Sequence, residues 1–296
     1  AIILVTLVVV AGGAASQWLT GAGLLQGGLW GVNAGLAVFL AWALCRELDP
    51  DHDLSAFVAA GLAVLGLFWG QPDLMVLLWL LMVVRVVNRI VGLPATLLDS
   101  LLVVGLSGWL VWQRGNWVYG LMAGGAFLLD SQLGKGDRKQ RASNRAPDAP
   151  SAWGFPLRPV IFAVVAIVAT GVWIAWGGSW WAGDGGSVPS FVRGGAATMS
   201  ALAMLAMSAL FVPVIVGASQ LNAVCDRTGE PLQPARVQAA QVMAVLTGIQ
   251  IGLWAGTAGI VSVMPLWAAA VGAGLYRLAV GPLLARFLKR GRSGDD

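Results

Sequence analysis

The chain has 296 residues, of which 58% are hydrophobic and 11% are charged, and its formal net charge is +4. A soluble domain carries about 25% charged residues, so this composition excludes an ordinary globular domain in water and predicts that lipid contacts most of the surface. The 40 glycines favour close approach between membrane helices, and the 15 tryptophans favour anchoring at the headgroup level. The basic residues are spread over loops, which argues against nucleic-acid binding.

Two cysteines and one histidine restrict the possible cofactors. The CxxC and HExxH motifs are absent, which argues against a structural zinc site or a bis-histidine haem. No cofactor is assigned from the sequence. The expected partners are the lipid bilayer and, in one interpretation, other membrane subunits.

Apolar segments recur along the whole chain and predict an all-α polytopic membrane protein with about ten transmembrane helices. The predicted domains are an N-terminal bundle (1–134), a polar cytoplasmic linker (135–157) and a C-terminal bundle with a basic tail (158–296). The predicted spans lie near 1–14, 20–45, 55–70, 74–93, 95–112, 116–133, 158–178, 196–224, 236–256 and 259–285.

The positions of the basic residues predict the topology. If both termini are cytoplasmic and the chain crosses ten times, every lysine and arginine except Arg114 and Arg193 falls on the cytoplasmic side. This is a strong positive-inside pattern. We expect a bacterial-type inner or plasma membrane protein with this orientation.

Two pairs of similar short segments suggest an internal duplication. The segment Ala43–Cys45 resembles Ala223–Cys225, and Asn88–Pro94 resembles Tyr276–Pro282. The two pairs would relate helices 1–4 to helices 7–10. An even number of crossings separates the copies, so the duplication would be parallel rather than inverted.

The loop after the second span is rich in carboxylates. Asp49, Asp51 and Asp53 lie within five positions, and clustered carboxylates can hold Mg²⁺. The alternative is a solvated turn in which Asp53 caps the helix that opens at Leu54 or Ser55. UbiA-type membrane prenyltransferases have a similarly placed aspartate-rich loop, but their pattern Asn-Asp-x-x-Asp-x-x-x-Asp is absent here, so the chain is not assigned to that family.

Arginines near the end of the fourth span form a second candidate site. Arg85 and Arg89 are four residues apart and share one helix face. Asp99 follows shortly after in the next span, which predicts an Arg85–Asp99 or Arg89–Asp99 pair. Arg277 is the counterpart of Arg89 in the proposed repeat. These four residues predict either a structural clamp or a substrate site that binds an anion or a lipid headgroup.

Other polar residues within spans have simpler interpretations. Asp130 is expected near the interface, and Asn33 and Gln241 are expected to hydrogen-bond across helices.

Three functions remain open at this stage. The first is a transporter or permease of an apolar or weakly polar small molecule, because nearly the whole chain is invested in membrane spans. The second is an accessory or scaffold subunit of a larger membrane complex. The third is an inner-leaflet enzyme that acts on a lipid phosphate with Mg²⁺.

Overall fold

The computed structural model describes residues 1–91, 93–144, 160–168 and 196–283, with side chains at all of these positions except 135–144 and 196–198. This part of the chain is all-α, and its one β-type pairing is an isolated antiparallel bridge between Val224 and Pro231. The helices are α1 (Ile2–Leu19), α2 (Leu24–Leu48), α3 (Asp53–Gly66), α4 (Leu74–Asn88), α5 (Leu97–Arg114), α6 (Val118–Asn144), α7 (160–168), α8 (Ala196–Gly217), α9 (Pro234–Ser262) and α10 (Met264–Leu275), which continues as a π-helical turn (Tyr276–Val280).

The prediction of an all-helical chain is confirmed, and its apolar helices are consistent with a membrane protein, but ten membrane spans are not confirmed. Each predicted apolar span overlaps at least one helix. Among the described residues, five helices are long and apolar enough to cross a bilayer: Ile2–Leu19, Leu24–Leu48, Met199–Gln220, Pro234–Ser262 and Met264–Leu283. Helices α3 and α4 are apolar but have only 14 and 15 residues. They are about 21 and 22 Å long, shorter than a hydrocarbon core of about 30 Å.

The two predicted bundles share one hydrophobic core. Helix α4 packs against α2, α5 and α6 from the first half and against α9 from the second. Trp79 of α4 is fully buried, and its Nε1–H donates to Ser107 Oγ at 2.8 Å. Its ring packs edge-to-face with Tyr119, with the ring centroids 5.1 Å apart. Helix α6 continues to Asn144, so residues 135–144 of the predicted linker are helical, whereas 145–157 lie outside the described residues.

The two segments of the first similar pair, which end at Cys45 and Cys225, differ in local structure. Cys45 lies within α2, whereas Cys225 lies in a loop, where its N–H donates to the Glu230 carbonyl at 2.7 Å. Both thiols are buried and free. The internal repeat therefore remains a prediction.

The bundle has two chemically different ends. Helix α4 starts at one end, where its cap Asp73 pairs with Arg114, and finishes at the other, where Asn88 bonds to Glu47. We call the second the arginine end, because ion pairs or hydrogen bonds join five arginines to the chain there: Arg46, Arg85, Arg89, Arg236 and Arg277. The sequence predicted that these five arginines lie on one side of the membrane and Arg114 on the other. Arg193 and the basic residues beyond 283 lie outside the described residues.

A glycine reverses the chain within α9, six residues before its end. Gly256 interrupts the long helix α9 with φ 63° and ψ −138°. Immediately after it, Gly259 returns to lie against the Ile251 carbonyl. The predicted boundary between the last two spans, at residues 256–259, coincides with this reversal.

Replacing Gly256 by alanine is expected to lower the free energy of unfolding by about 1 to 2 kcal/mol, because a side chain is strained in this backbone conformation. The measurement is thermal unfolding of the purified protein in detergent. Gly28→Ala is the matched control, because Gly28 is helical and has nothing within 4 Å of an added Cβ. Equal stability of the two variants would contradict the assigned reversal.

Candidate functional site

A glutamate at the end of α2 binds two residues of α4. The Glu47 side chain is 7% exposed and accepts a hydrogen bond from Arg85 Nε at 2.6 Å. Asn88 Nδ2 donates to the same carboxylate at 2.8 Å and to the Glu47 carbonyl at 3.1 Å. These contacts fasten the ends of α2 and α4 to each other.

An aspartate of α6 binds arginines from two other helices. The Asp130 carboxylate accepts from Arg89 Nη2 at 2.7 Å and from Arg236 Nη1 at 2.9 Å. Arg236 Nη1 also donates to the Val87 carbonyl at 3.0 Å. Arg236 and Asp130 are 3% and 4% exposed. Arg89 reaches this site from the C-cap of α4, where it adopts the left-handed conformation with φ 50°.

A second aspartate ties α2 to the end of α10. Asp49 has a fully buried side chain, and its Oδ1 accepts from Arg277 Nη2 at 3.0 Å. The same oxygen lies 3.0 Å from His52 Nδ1, and the His52 ring contacts Tyr276 with ring centroids 5.3 Å apart. Gly217 of α8 leaves the space that the Arg277 guanidinium occupies.

Together these contacts form what we call the ion-pair layer: Glu47, Asp49, Arg85, Asn88, Arg89, Asp130, Arg236 and Arg277. Its members come from α2, α4, α6, α9 and the end of α10 or directly follow these helices. Ionised groups taken out of water are stable only when they are paired and hydrogen-bonded. The layer therefore holds the ends of these helices together at the arginine end.

The three aspartates predicted to hold a metal have separate protein partners. Asp49 binds Arg277 as described, Asp51 accepts from the Asn222 N–H at 3.2 Å, and Asp53 pairs with Arg46 at the surface. Within the described ranges, no group of three or more His, Cys, Asp or Glu residues could hold a metal ion. The carboxylates do not converge because neighbouring donors of the protein draw them in different directions.

The predicted cap at the start of α3 is also different. His52, not Asp53, is the N-cap residue, and no side chain makes a capping hydrogen bond there. Asp53 is already the first residue of the helix and its side chain points to Arg46.

The predicted pairing of Asp99 with Arg85 or Arg89 is wrong. Asp99 forms a capping box with Thr96 at the start of α5: it accepts from the Thr96 N–H at 2.9 Å and hydroxyl at 2.8 Å. A carboxylate three residues after a threonine satisfies the free N–H groups of its own helix start. Of the four predicted substrate residues, Arg85, Arg89 and Arg277 lie in the ion-pair layer and Asp99 does not.

Sequence reasoning missed Glu47, Asn88 and Arg236 as partners. Glu47 and Asn88 follow apolar runs at the ends of their helices, and Arg236 lies in the first turn of α9. Polar residues at such positions are usually solvated, so burial in a shared layer has no local signal.

The opposite end of the bundle is open. An open cavity of about 880 Å³ is lined by Asn33 of α2, the loop 69–73, the start of α4, Arg114 and residues after the Gly256 reversal. The loop 69–73 joins the short helices α3 and α4 and forms the floor. Gln71 in this loop accepts from Asn33 Nδ2 at 2.8 Å and donates to the Trp30 carbonyl at 3.2 Å. Asn33 is nine residues into α2, about 14 Å from its start, so the floor is recessed into the bundle.

An ion pair stands at the floor of this cavity. Asp73 Oδ1 accepts from the N–H groups of Met75 and Val76 at 3.1 and 3.3 Å and thereby caps α4. Asp73 Oδ2 binds Arg114. The Asp73 N–H donates to the Ser262 carbonyl at 2.9 Å, which holds the loop against the segment after Gly256. These contacts fix the loop at the floor of the cavity against α4 and the segment after Gly256.

Comparison with known proteins assigns no relatives: no family model, no curated protein and no solved structure matches this chain. The geometry of the two ends carries the functional argument.

Proposed function

We propose that this protein transports a small solute across a membrane, with the cavity as the entrance on one side and the ion-pair layer as the closed gate on the other. The observation that carries the proposal is the asymmetry of the bundle. One end has an open cavity of about 880 Å³ whose floor lies about 14 Å along α2. At the other end the carboxylates of Glu47, Asp49 and Asp130 are buried in ion pairs, and the cavity beside His52 has only about 340 Å³. A carrier that exposes its binding site to one side at a time has this asymmetry in each of its end states.

The recessed loop supports a water-filled cavity rather than a lipid-filled one. Residues 69–73 are not helical, and their backbone lies level with Asn33 of α2. Irregular backbone at membrane depth is tolerated only where it is buried in protein or lines an aqueous space. The open volume beside this loop supplies such a space.

The ion-pair layer has the properties of a gate. Its ion pairs join five different helices. A movement of α10 away from α2 separates Arg277 from Asp49. A movement of α9 away from α4 and α6 separates Arg236 from Asp130 and from the Val87 carbonyl. Charges that lose a partner inside lipid are very costly, but charges that meet water instead recover most of that energy. Opening is thus coupled to hydration of the arginine end, which is what a gate requires.

The two alternatives have weaker support. The exposed leucines of α1 and α5 suit an accessory subunit packed against other spans, but lipid covers such surfaces equally well. The Mg²⁺-dependent enzyme required free carboxylates near Arg85 and Arg89, and Asp49, Asp51 and Asp53 are each engaged elsewhere.

The test is uptake into proteoliposomes of three radiolabelled solutes that cross lipid slowly: mannitol, benzenesulfonate and tetraethylammonium. We expect at least one to enter faster than into protein-free liposomes. In a background without Cys45 and Cys225, a cysteine at Thr257 in the cavity wall should react with a charged thiol reagent and block that uptake. The control is Ser107→Cys, because Ser107 is 2% exposed. Uptake equal to that of empty liposomes for all three solutes would overturn the proposal.

A further inference from the structure

We infer that the cavity binds a small organic oxyanion, a carboxylate or sulfonate on an apolar body, through the guanidinium group of Arg114. This inference rests on the proposed function, because it names the class of solute that the cavity would admit. It also revises the expectation of an apolar or weakly polar substrate, since a charged side chain lines the cavity.

Several N–H donors of the Arg114 guanidinium group are available to a ligand. A guanidinium carries five N–H groups in a planar fork, and within the described part of the chain the one hydrogen-bond partner of Arg114 is Asp73. The Arg114 side chain is 56% exposed and lines the cavity. Planar bidentate binding to a carboxylate or a related oxyanion is the interaction for which this group is best suited.

Asp73 is poorly placed to bind a cationic ligand. One of its oxygens caps the N–H groups of Met75 and Val76, and the other binds Arg114. Its side chain is only 14% exposed. The positive end of the α4 dipole lies at the same place and favours negative charge. The accessible charge on the cavity floor is therefore cationic.

The walls beside Arg114 suit the apolar part of such a ligand. Trp69 and Met75 line the cavity and are 78% and 53% exposed. A flat ring placed against Trp69 would remove apolar surface of both groups from water. An oxyanion attached to a ring would thus satisfy the cation and the wall together.

The experiment is equilibrium binding to the purified full chain in dodecyl maltoside, which contains no phosphate. Benzenesulfonate is compared with neutral benzenesulfonamide, which has nearly the same shape. We expect benzenesulfonate to bind at least about ten-fold more tightly, the size of one charge-assisted hydrogen-bond interaction. Arg114→Gln should remove this preference, and Arg114→Lys should retain part of it.

Arg46→Gln is the matched control, because it removes one arginine from an exposed ion pair at the opposite end of the bundle. Its preference for benzenesulfonate should equal that of the wild type. Equal binding of the two probes by the wild type, or equal losses in Arg114→Gln and Arg46→Gln, would overturn the inference.

Two further measurements are needed. The first distinguishes a soluble oxyanion from a lipid headgroup as the ligand, and the second distinguishes failure of the oxyanion site from failure of the proposed transport function. Displacement of benzenesulfonate by soluble glycerol phosphate indicates a free solute, whereas displacement by phosphatidylglycerol alone indicates a lipid headgroup; both outcomes support an oxyanion site. If Arg114-dependent binding is present but no probe is transported, the site stands and the transport function fails. If mannitol is transported and Arg114→Gln binds both probes as the wild type does, the transport function stands and the oxyanion site fails.

Discussion

Replacing Asp130 by asparagine is expected to lower the free energy of unfolding by about 3 to 5 kcal/mol. This carboxylate receives hydrogen bonds from both Arg89 and Arg236, and it is 4% exposed. Asparagine keeps the shape of the side chain but removes the negative charge that compensates two buried cations. The measurement is unfolding of the purified protein in mixed micelles with increasing denaturing detergent.

The matched control is Asp53→Asn, which removes the same charge from an exposed pair. The Asp53 side chain is 78% exposed and its partner Arg46 is 33% exposed, and exposed ion pairs contribute about 0 to 1 kcal/mol. A small effect of Asp130→Asn, comparable with that of Asp53→Asn, would show that the arginine end is hydrated. The ion-pair layer would then not be a closed gate.

Replacing Gly272 by valine is expected to destabilise the protein by about 3 kcal/mol or more, because the new side chain overpacks a tight contact. Helix α10 lies against α3 at this position: a Cβ on Gly272 would be 2.7 Å from Ala59 N and 2.8 Å from Ala59 Cα. These are backbone atoms, so only a movement of the whole helix relieves the clash. Thermal unfolding in detergent measures the change.

Gly61 of α3 offers the control, because an added Cβ there has nothing within 4 Å. Gly61→Val should change stability by less than about 0.5 to 1 kcal/mol, the range of surface and helix-propensity effects. If Gly272→Val were as stable as Gly61→Val, the close contact between α3 and α10 would be wrong, and with it the position of the recessed loop that α3 carries.

The arginines show how far sequence reasoning extends. Their distribution along the chain predicted that Arg85, Arg89 and Arg277 share one end of the bundle with Arg46 and Arg236, and the contacts place them there. This worked because charge is expensive in hydrocarbon, so cations gather at helix ends whatever the helices pack against. The membrane side to which this end belongs stays a prediction.

The partner of Arg85 or Arg89 was predicted wrongly for a physical reason. Asp99 is the nearest carboxylate after Arg89 in the sequence, but its local hydrogen bonds to Thr96 satisfy it within its own helix. The carboxylates that do bind, Glu47 and Asp130, are about forty residues away from their arginines in the chain. Nothing local distinguishes them from solvated residues at helix ends.

The amino-acid sequence by itself determined that the chain forms apolar helices suited to lipid, near which residue most of them begin, and which arginines share an end. These are properties of hydropathy and charge, and each can be read within a window of about twenty residues. Only the tertiary structure decided which carboxylate meets which arginine, and that α3 and α4 stop short of the opposite end, so that a cavity lies above their loop. Those features depend on how helices distant in sequence pack against α4, and the free energy of that packing is shared among contacts that no single segment contains.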